Sequence, residues 1–468
     1  MVVLAVALVV TLNSAPHPDT PCAPCVIGDG GQQIGVTDGS FTFDPALGQV
    51  EGDIRRADQG LARGKYVTVA FLGPLTPSAD VSIGRIRSWL EGAYIAQRVA
   101  NRAGAGPQIR LVLANVGSGE NQYRPVVRQL DRMTTGPDPL VAVTGMGISV
   151  PQTLQTARLL SRYSIPMVGA VITGDGLSQS TVHGLFRVNP DVRDEVSALA
   201  HYLHGARLGD RAMLIQDSAP GDLYTASLNA DFRTGLAGYI QAGGFPEEPF
   251  DAPPNSGALG AQFSALSGNL CGRNPPDMIL YAGRVDDLPD FIHHLWARGV
   301  DCEPRRLITV VTGSDASSLQ GQLKPAPGDA PVRIVYAALA DPAELAVRPN
   351  GRNNRNLWRA FYSVFTTRFP AAGLGDGWAI MSHDALVAAD QAVIRISAAQ
   401  GQVTARNVLA ELGDLSASNA VPGAAGAFGF DPVAGNPTGR DFPVLELTPG
   451  GALRLLGVYP LPAPAAGQ

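Results

Sequence analysis

From Tyr66 onward, short continuous apolar runs alternate with stretches whose apolar residues recur every three or four positions. Tyr66–Leu72, Ile109–Ala114, Leu140–Thr144 and Pro166–Ala170 show little polar alternation, which predicts strands covered on both faces. Between them, Ile86, Trp89, Ala93, Ala96 and Ala100 fall on one helical face. Val126, Val127, Leu130 and Met133 mark a second helix, and Leu154, Ala157 and Leu160 a third. Pro151 suits the first turn of that third helix, having no N–H to lose. Strand and helix alternating in this way predict a doubly wound parallel sheet with right-handed crossovers.

The rhythm breaks at Leu185-Phe186-Arg187-Val188-Asn189-Pro190 and then restarts. The second series predicts helices at 191–207, 223–243, 257–270 and 285–298. Its strands are expected at 212–216, 278–281, 307–312 and 332–337. Two further helices, 356–369 and 377–398, lack partner strands and are expected to return over the first series. Short strands at 427–430, 444–447 and 453–458 end the chain. The fold class is therefore α/β, with two doubly wound parallel-sheet lobes joined by a multi-crossing hinge. The expected division is an N-terminal apolar segment and stalk at 1–65, lobe I at 66–188 with 341–420, and lobe II at 189–340 with 421–460. The stalk is expected to hold a small hairpin at 35–43. Such lobes leave a cleft between them, a preferred place for a ligand.

Two loops leave the carboxyl ends of neighbouring strands in the first lobe: Gly145-Met146-Gly147-Ile148-Ser149 and Val171-Ile172-Thr173-Gly174. Open α/β sheets place ligands there. Free N–H groups at a helix start, with the hydroxyls of Ser149 and Thr173, suit a carboxylate. The first loop lacks the third glycine of a dinucleotide fingerprint, and no G-x-S-x-G elbow or Walker motif occurs. His201 and His204 lack a third metal ligand, His293 and His294 point apart, and His383-Asp384 reads as a helix cap. No nucleophile, base and orienting group come together. Neither an enzyme, a metal centre nor a cofactor is expected.

Composition narrows the partner. A net charge of −6 with 16% charged residues argues against nucleic acid. The uncharged run Val2–Leu12 is too short to span a bilayer and lacks a basic flank. It reads as the surviving end of an anchor or export signal in preference to a buried strand, because a Pro/Cys-rich spacer follows. The four cysteines fall in two pairs, Cys22/Cys25 and Cys271/Cys302. Both are candidate disulfides, which fits an oxidising, extracytoplasmic compartment.

The order of motifs resembles the type I periplasmic binding proteins, specifically the branched-chain amino-acid (Leu/Ile/Val) group of ABC-transporter substrate-binding proteins. The resemblance rests on VTVAFLGPLT at 67–76, WLEGAYIAQRVAN at 89–101, VAVTGMGISVPQTL at 141–154 and IPMVGAVITGDGLS at 165–178. LFRVNPD at 185–191, MILYAGRVDDLPDFIHHLWARGV at 278–300 and FGFDPVAGNPTGRDFPVLEL at 428–447 continue it. It covers about 66–460. It implies that Gly147, Ser149, Ile172 and Thr173 hold a ligand carboxylate, that Tyr224 closes from the second lobe, and that Arg284 or Val285 faces the cleft. The family's carboxylate for a ligand ammonium is missing, since Thr312 stands at its place and Asp315 is the nearest acid. Either Asp315 reaches in, or the ligand is not a free α-amino acid.

The expected function is capture of a small polar ligand, an amino acid or a related carboxylate or amide, by hinge closure. The expected partner is the membrane permease of an ABC transporter, and the site is extracytoplasmic. A ligand-sensing receptor ectodomain of the same fold is the alternative.

Overall fold

The computed structural model describes residues 25–219, 221–251, 258–271, 274–298, 306–348 and 355–461. The apolar run Val2–Leu12, Cys22 and Cys302 lie outside them, so the readings made there stay as expectations.

The first lobe is built on seven strands: β1 (Cys25–Asp29), β2 (Gln32–Thr37), β3 (Tyr66–Gly73), β4 (Gln108–Asn115), β5 (Leu140–Gly145), β6 (Met167–Gly169) and β7 (Leu185–Arg187). Their order is β1-β2-β4-β3-β5-β6-β7, with β4, β3, β5, β6 and β7 mutually parallel. Helices α1 (Gly48–Gln59), α2 (Ile83–Ala103), α3 (Tyr123–Arg132) and α4 (Pro151–Arg162) connect them. β5 is buried along its whole length, as a continuous apolar run between two helical layers requires. The N-terminal hairpin lies earlier than its expected place at 35–43. Its turn is Gly30-Gly31, both at positive φ, and β2 extends the sheet by pairing antiparallel with β4. Residues 25–59 therefore contribute strands and a packed helix to the first lobe.

The second lobe holds β8 (Ala212–Asp217), β9 (Glu248–Phe250), β10 (Met278–Ala282), β11 (Ile308–Thr312) and β12 (Val332–Ala337), with α5 (Val192–Ala206), α6 (Leu223–Gly235), α7 (Ala237–Gly243), α8 (Ala258–Asn269) and α9 (Leu288–Ala297). The single helix expected over 223–243 is broken at Leu236, whose φ of −117° leaves the helical region while its side chain is buried. The helix expected from Val285 begins at Leu288, which frees Val285, Asp286 and Asp287 to form a turn.

The chain then returns to the first lobe through α10 (Pro342–Val347), α11 (Arg355–Thr366), α12 (Trp378–Ala398) and α13 (Ala405–Asp414). α12 lies against α2 so closely that a Cβ on Gly92 would stand 2.0 Å from the carbonyl oxygen of Ala379. β13 (Val421–Gly423), β14 (Gly426–Phe430) and β15 (Pro437–Thr438) form a small sheet, and Phe428 and Phe430 join the first lobe's core. β16 (Asp441–Leu447) and β17 (Leu453–Pro460) close the second sheet, in the order β17-β16-β12-β11-β10-β8-β9.

Among the described residues the chain passes between the sheets at 188–191, 338–341 and 431–440. Two buried arginines fasten these crossings. Arg187 donates to Asn436 Oδ1 at 2.7 Å and to the Gly174 carbonyl at 2.9 Å. Arg440 donates to the Val188 carbonyl at 2.7 Å and pairs with Asp384. His383-Asp384 is thus no helix cap: both residues are buried inside α12, where Asp384 also accepts the N–H groups of Ala424 and Ala425.

Candidate ligand-binding cleft

The loop after β5 carries three successive residues at positive φ: Gly145 (89°), Met146 (78°) and Gly147 (84°). A methionine there is strained by about 1–2 kcal/mol. Its N–H is held by the Leu72 carbonyl at 2.8 Å. The coil turns the N–H of Ile148 toward the carboxylate of Glu120, which accepts it at 2.9 Å and the Thr153 hydroxyl at 2.6 Å. Gly147 makes room for this, because a Cβ would stand 2.0 Å from Glu120 Oε2. Glu120 therefore satisfies the Ile148 N–H and the Thr153 hydroxyl from within the first lobe. Burial pushes the Glu120 carboxyl up to about 7 despite those two bonds.

The second lobe answers with a cation. Asp222 caps α6 by accepting the N–H groups of Tyr224 and Thr225 at 2.9 Å each, which leaves its other oxygen for Arg284 Nε at 2.8 Å. Arg284 Nη1 donates to Asp315 at 3.0 Å, and Nη2 crosses the cleft to the backbone carbonyl of Ser149 at 3.2 Å. The guanidinium lies 4.8 Å from the centre of the Tyr224 ring. Burial works against this charge, but Asp222 and Asp315 outweigh it and raise the Arg284 pKa. Burial likewise opposes ionisation of Asp315, and Arg284 with Arg85 more than offsets it, holding the carboxyl below the usual range.

The residues chosen from sequence do converge on the cleft, though most are already engaged. Ser149 Oγ accepts the Gly174 N–H at 2.9 Å, and the Ile172 carbonyl takes Arg187 at 3.2 Å and Asn189 at 3.0 Å. Thr173 is 4% exposed, and its hydroxyl makes no hydrogen bond among the described residues. The Tyr224 hydroxyl accepts the Asp315 N–H at 3.2 Å. Thr312 is buried and donates to the Tyr281 carbonyl at 2.9 Å, so Asp315 is the acid that reaches the cleft. Val285, the alternative to Arg284, lines a cavity beside these groups.

Sequence reasoning missed Glu120, Arg85, Glu91 and Asp376. Arg85 comes from the first turn of α2, behind the Ser82 cap. It reaches Asp315 at 3.4 Å across the cleft and Asp376 at 3.7 Å, with its guanidinium 4.2 Å from the Trp378 ring centre. The Ser317 hydroxyl, from the second lobe, donates to the Asp376 carbonyl at 3.3 Å. The lobes thus meet through at least three polar contacts. Beside them lies a cavity of about 540 Å³ with walls from both lobes. Among the described residues no group of three or more His, Cys, Asp or Glu is arranged to hold a metal ion.

No protein-family model and no curated protein matches the sequence. Solved structures do. The leucine-binding protein LivK of Thermotoga maritima is 17% identical with a TM-score of 0.60, covering 84% of this chain and 99% of that one. A solute-binding protein of an ABC transporter from Rhodopseudomonas palustris, solved with p-hydroxybenzoic acid, is 15% identical with a TM-score of 0.62, covering 85% and 98%. LivJ of Streptococcus pneumoniae, solved with isoleucine, is 15% identical with a TM-score of 0.57, covering 84% and 99%. The fold is that of the type I periplasmic binding proteins.

Proposed function

We propose that this chain is an extracytoplasmic solute-binding protein, which captures a small polar ligand by hinge closure and delivers it unchanged to the membrane permease of an ABC transporter. The observation that carries the reading is the cleft itself: a polar cavity walled by both lobes, with Arg284–Ser149 and Arg85–Asp315 bridging beside it. A solute touching both walls binds the closed form better than the open one, and only such a difference shifts the equilibrium. The three crossings among the described residues permit bending and restrain twisting. Beside that cavity, Ser149 and Thr173, with the backbone of Gly147 and Ile172, are proposed as the first lobe's face of the cleft. Tyr224, Arg284 and Asp315 form the part of the second lobe that moves onto it. The ligands of the similar structures, isoleucine and p-hydroxybenzoic acid, differ in charge, so they support capture of a small solute without fixing its class. The pairs Cys22–Cys25 and Cys271–Cys302 are proposed as disulfides suited to that compartment.

A thermal-shift screen of amino acids, amides, dicarboxylates and amines tests this, followed by small-angle scattering with each hit. A saturable shift with a smaller radius of gyration and an unaltered ligand is expected. Hits that leave the radius unchanged, or that are recovered as product, overturn the proposal.

A further inference from the structure

Beside the loop after β5 the chain's own groups are already paired: Glu120 accepts the Ile148 N–H, and Arg284 donates to the Ser149 carbonyl. The neighbouring cavity is open. It lies between the N-terminal half of α2, the turn before α9, the 3-10 turn Ser314–Leu319 and the loop before α12. Its ionisable lining is four carboxyl groups, Asp80, Glu91, Asp286 and Asp376, against two guanidiniums, Arg85 and Arg87. Burial raises the pKa of all four acids, that of Glu91 and Asp286 to about 7, so a bound cation would favour their ionised form. Arg85 is already committed to Asp315 and Asp376, and the Arg87 side chain is 51% exposed. Neither Asp80 nor Asp286 has a cation within ion-pair distance among the described residues.

Two buried groups in the wall lack a full set of partners. Glu91 is 5% exposed and accepts no hydrogen bond among the described residues, and its nearest cation is Arg87 Nε at 3.8 Å. Arg85 is 8% exposed, and its Nε has no hydrogen-bond partner. The Glu91 carboxyl opens onto the cavity short of donors, so a ligand that supplies them is favoured. Gly84, Ser88 and Glu91 repeat at helical spacing, so all three face the cavity from one side of α2.

We propose, resting on the solute-binding reading above, that this cavity is the ligand site and that its ligand is a small organic cation, an amine or a guanidine. The charged head sits on Glu91, with Asp376 beside it and Asp286 facing it from the second lobe. Because Asp286 and Ser318 belong to the second lobe and Glu91 to the first, such a ligand draws the walls together.

Calorimetric titration of the full chain with putrescine and agmatine, beside isoleucine and 4-hydroxybenzoate, tests the assignment. At least one of the two cations is expected to bind one-to-one. Glu91→Gln and Asp286→Asn should each weaken it about tenfold or more, as loss of a charge-assisted contact does. Thermal melts of both variants should match or exceed the wild type, since each removes a carboxylate from an acidic wall. Wild-type affinity in both variants overturns the site. Binding of isoleucine or 4-hydroxybenzoate without either cation overturns the ligand class and leaves solute capture standing. If none of the four binds, the organic-cation assignment falls, and solute capture is decided by the broader thermal-shift screen.

Discussion

Arg284→Met tests how the cleft is held. Methionine keeps most of the stem and removes the guanidinium, with its bonds to Asp222, Asp315 and Ser149 at 2.8, 3.0 and 3.2 Å. Removing one member of a buried ion pair costs about 3–5 kcal/mol. Here the carboxylates retain other partners: Asp222 still caps α6, and Asp315 still faces Arg85 at 3.4 Å. A net loss of about 2–4 kcal/mol is therefore expected, read as a lower denaturation midpoint in urea. Only the Ser149 bond crosses the cleft. A hydrogen bond to a charged group contributes about 1.5–3 kcal/mol, so its loss should lower the closed-to-open ratio by roughly 30-fold at about 2 kcal/mol. Small-angle scattering of the ligand-free variant should show a larger radius of gyration than the wild type. Arg284→Met with Asp315→Asn removes the attraction left between Asp315 and Arg85, and should open further. Scattering curves that superimpose on the wild type, with a midpoint changed by less than about 1 kcal/mol, would refute this account of the latch.

Other expectations follow from the same packing. The native state holds the Glu120 proton up to about 7, whereas an unfolded chain releases it near the ordinary 4.5. This group therefore favours the native state fully below 4.5, and that advantage disappears as pH rises through 7. It amounts to roughly 3 kcal/mol at 1.36 kcal/mol per unit. Urea midpoints should fall between pH 5 and pH 8, and Glu120→Gln should flatten part of the slope; an unchanged slope would count against a buried, protonated Glu120. Glu195, held by the N–H and hydroxyl of Ser314 and pushed by burial up to about 8, extends the same trend to higher pH, and Glu195→Gln should shorten it. Gly92→Ala places a methyl against the Ala379 carbonyl and should cost about 2–3 kcal/mol by separating α2 from α12, seen as a lower melting temperature. A melt equal to the wild type would mean that the two helices yield at that point.

The two-lobed architecture was legible because buried parallel strands leave long apolar runs and their helices keep a period near 3.6. Even the return of α12 onto the first lobe showed, as an alanine-rich helix with no strand of its own. The N-terminal hairpin was displaced because glycines at both 30–31 and 35–39 offered turn signals, and only pairing with β4 selects the first pair. Phe428 and Phe430 went to the other core for a similar reason: period-two patterning shows that a strand is half buried, not what buries it. Within the cleft, Ser149 and Thr173 stood out because strand-end loops are recognisable, whereas Tyr224, Arg284 and Asp315 came from the family resemblance. Glu120, Arg85, Glu91 and Asp376 were missed. A charged residue in a loop or on a helix reads as solvent-facing until the tertiary fold closes over it, and no spacing rule links positions 91 and 286 across two lobes.

The most direct test of solute capture is a crystal structure of the wild type soaked with whichever compound gives the largest saturable thermal shift. Solute capture places that intact molecule in the interlobe cavity, within hydrogen-bonding distance of Glu91 on one side and of a group from the second lobe on the other. Density for the compound on an outer face, in contact with one lobe alone, or as a chemically altered product, would contradict it.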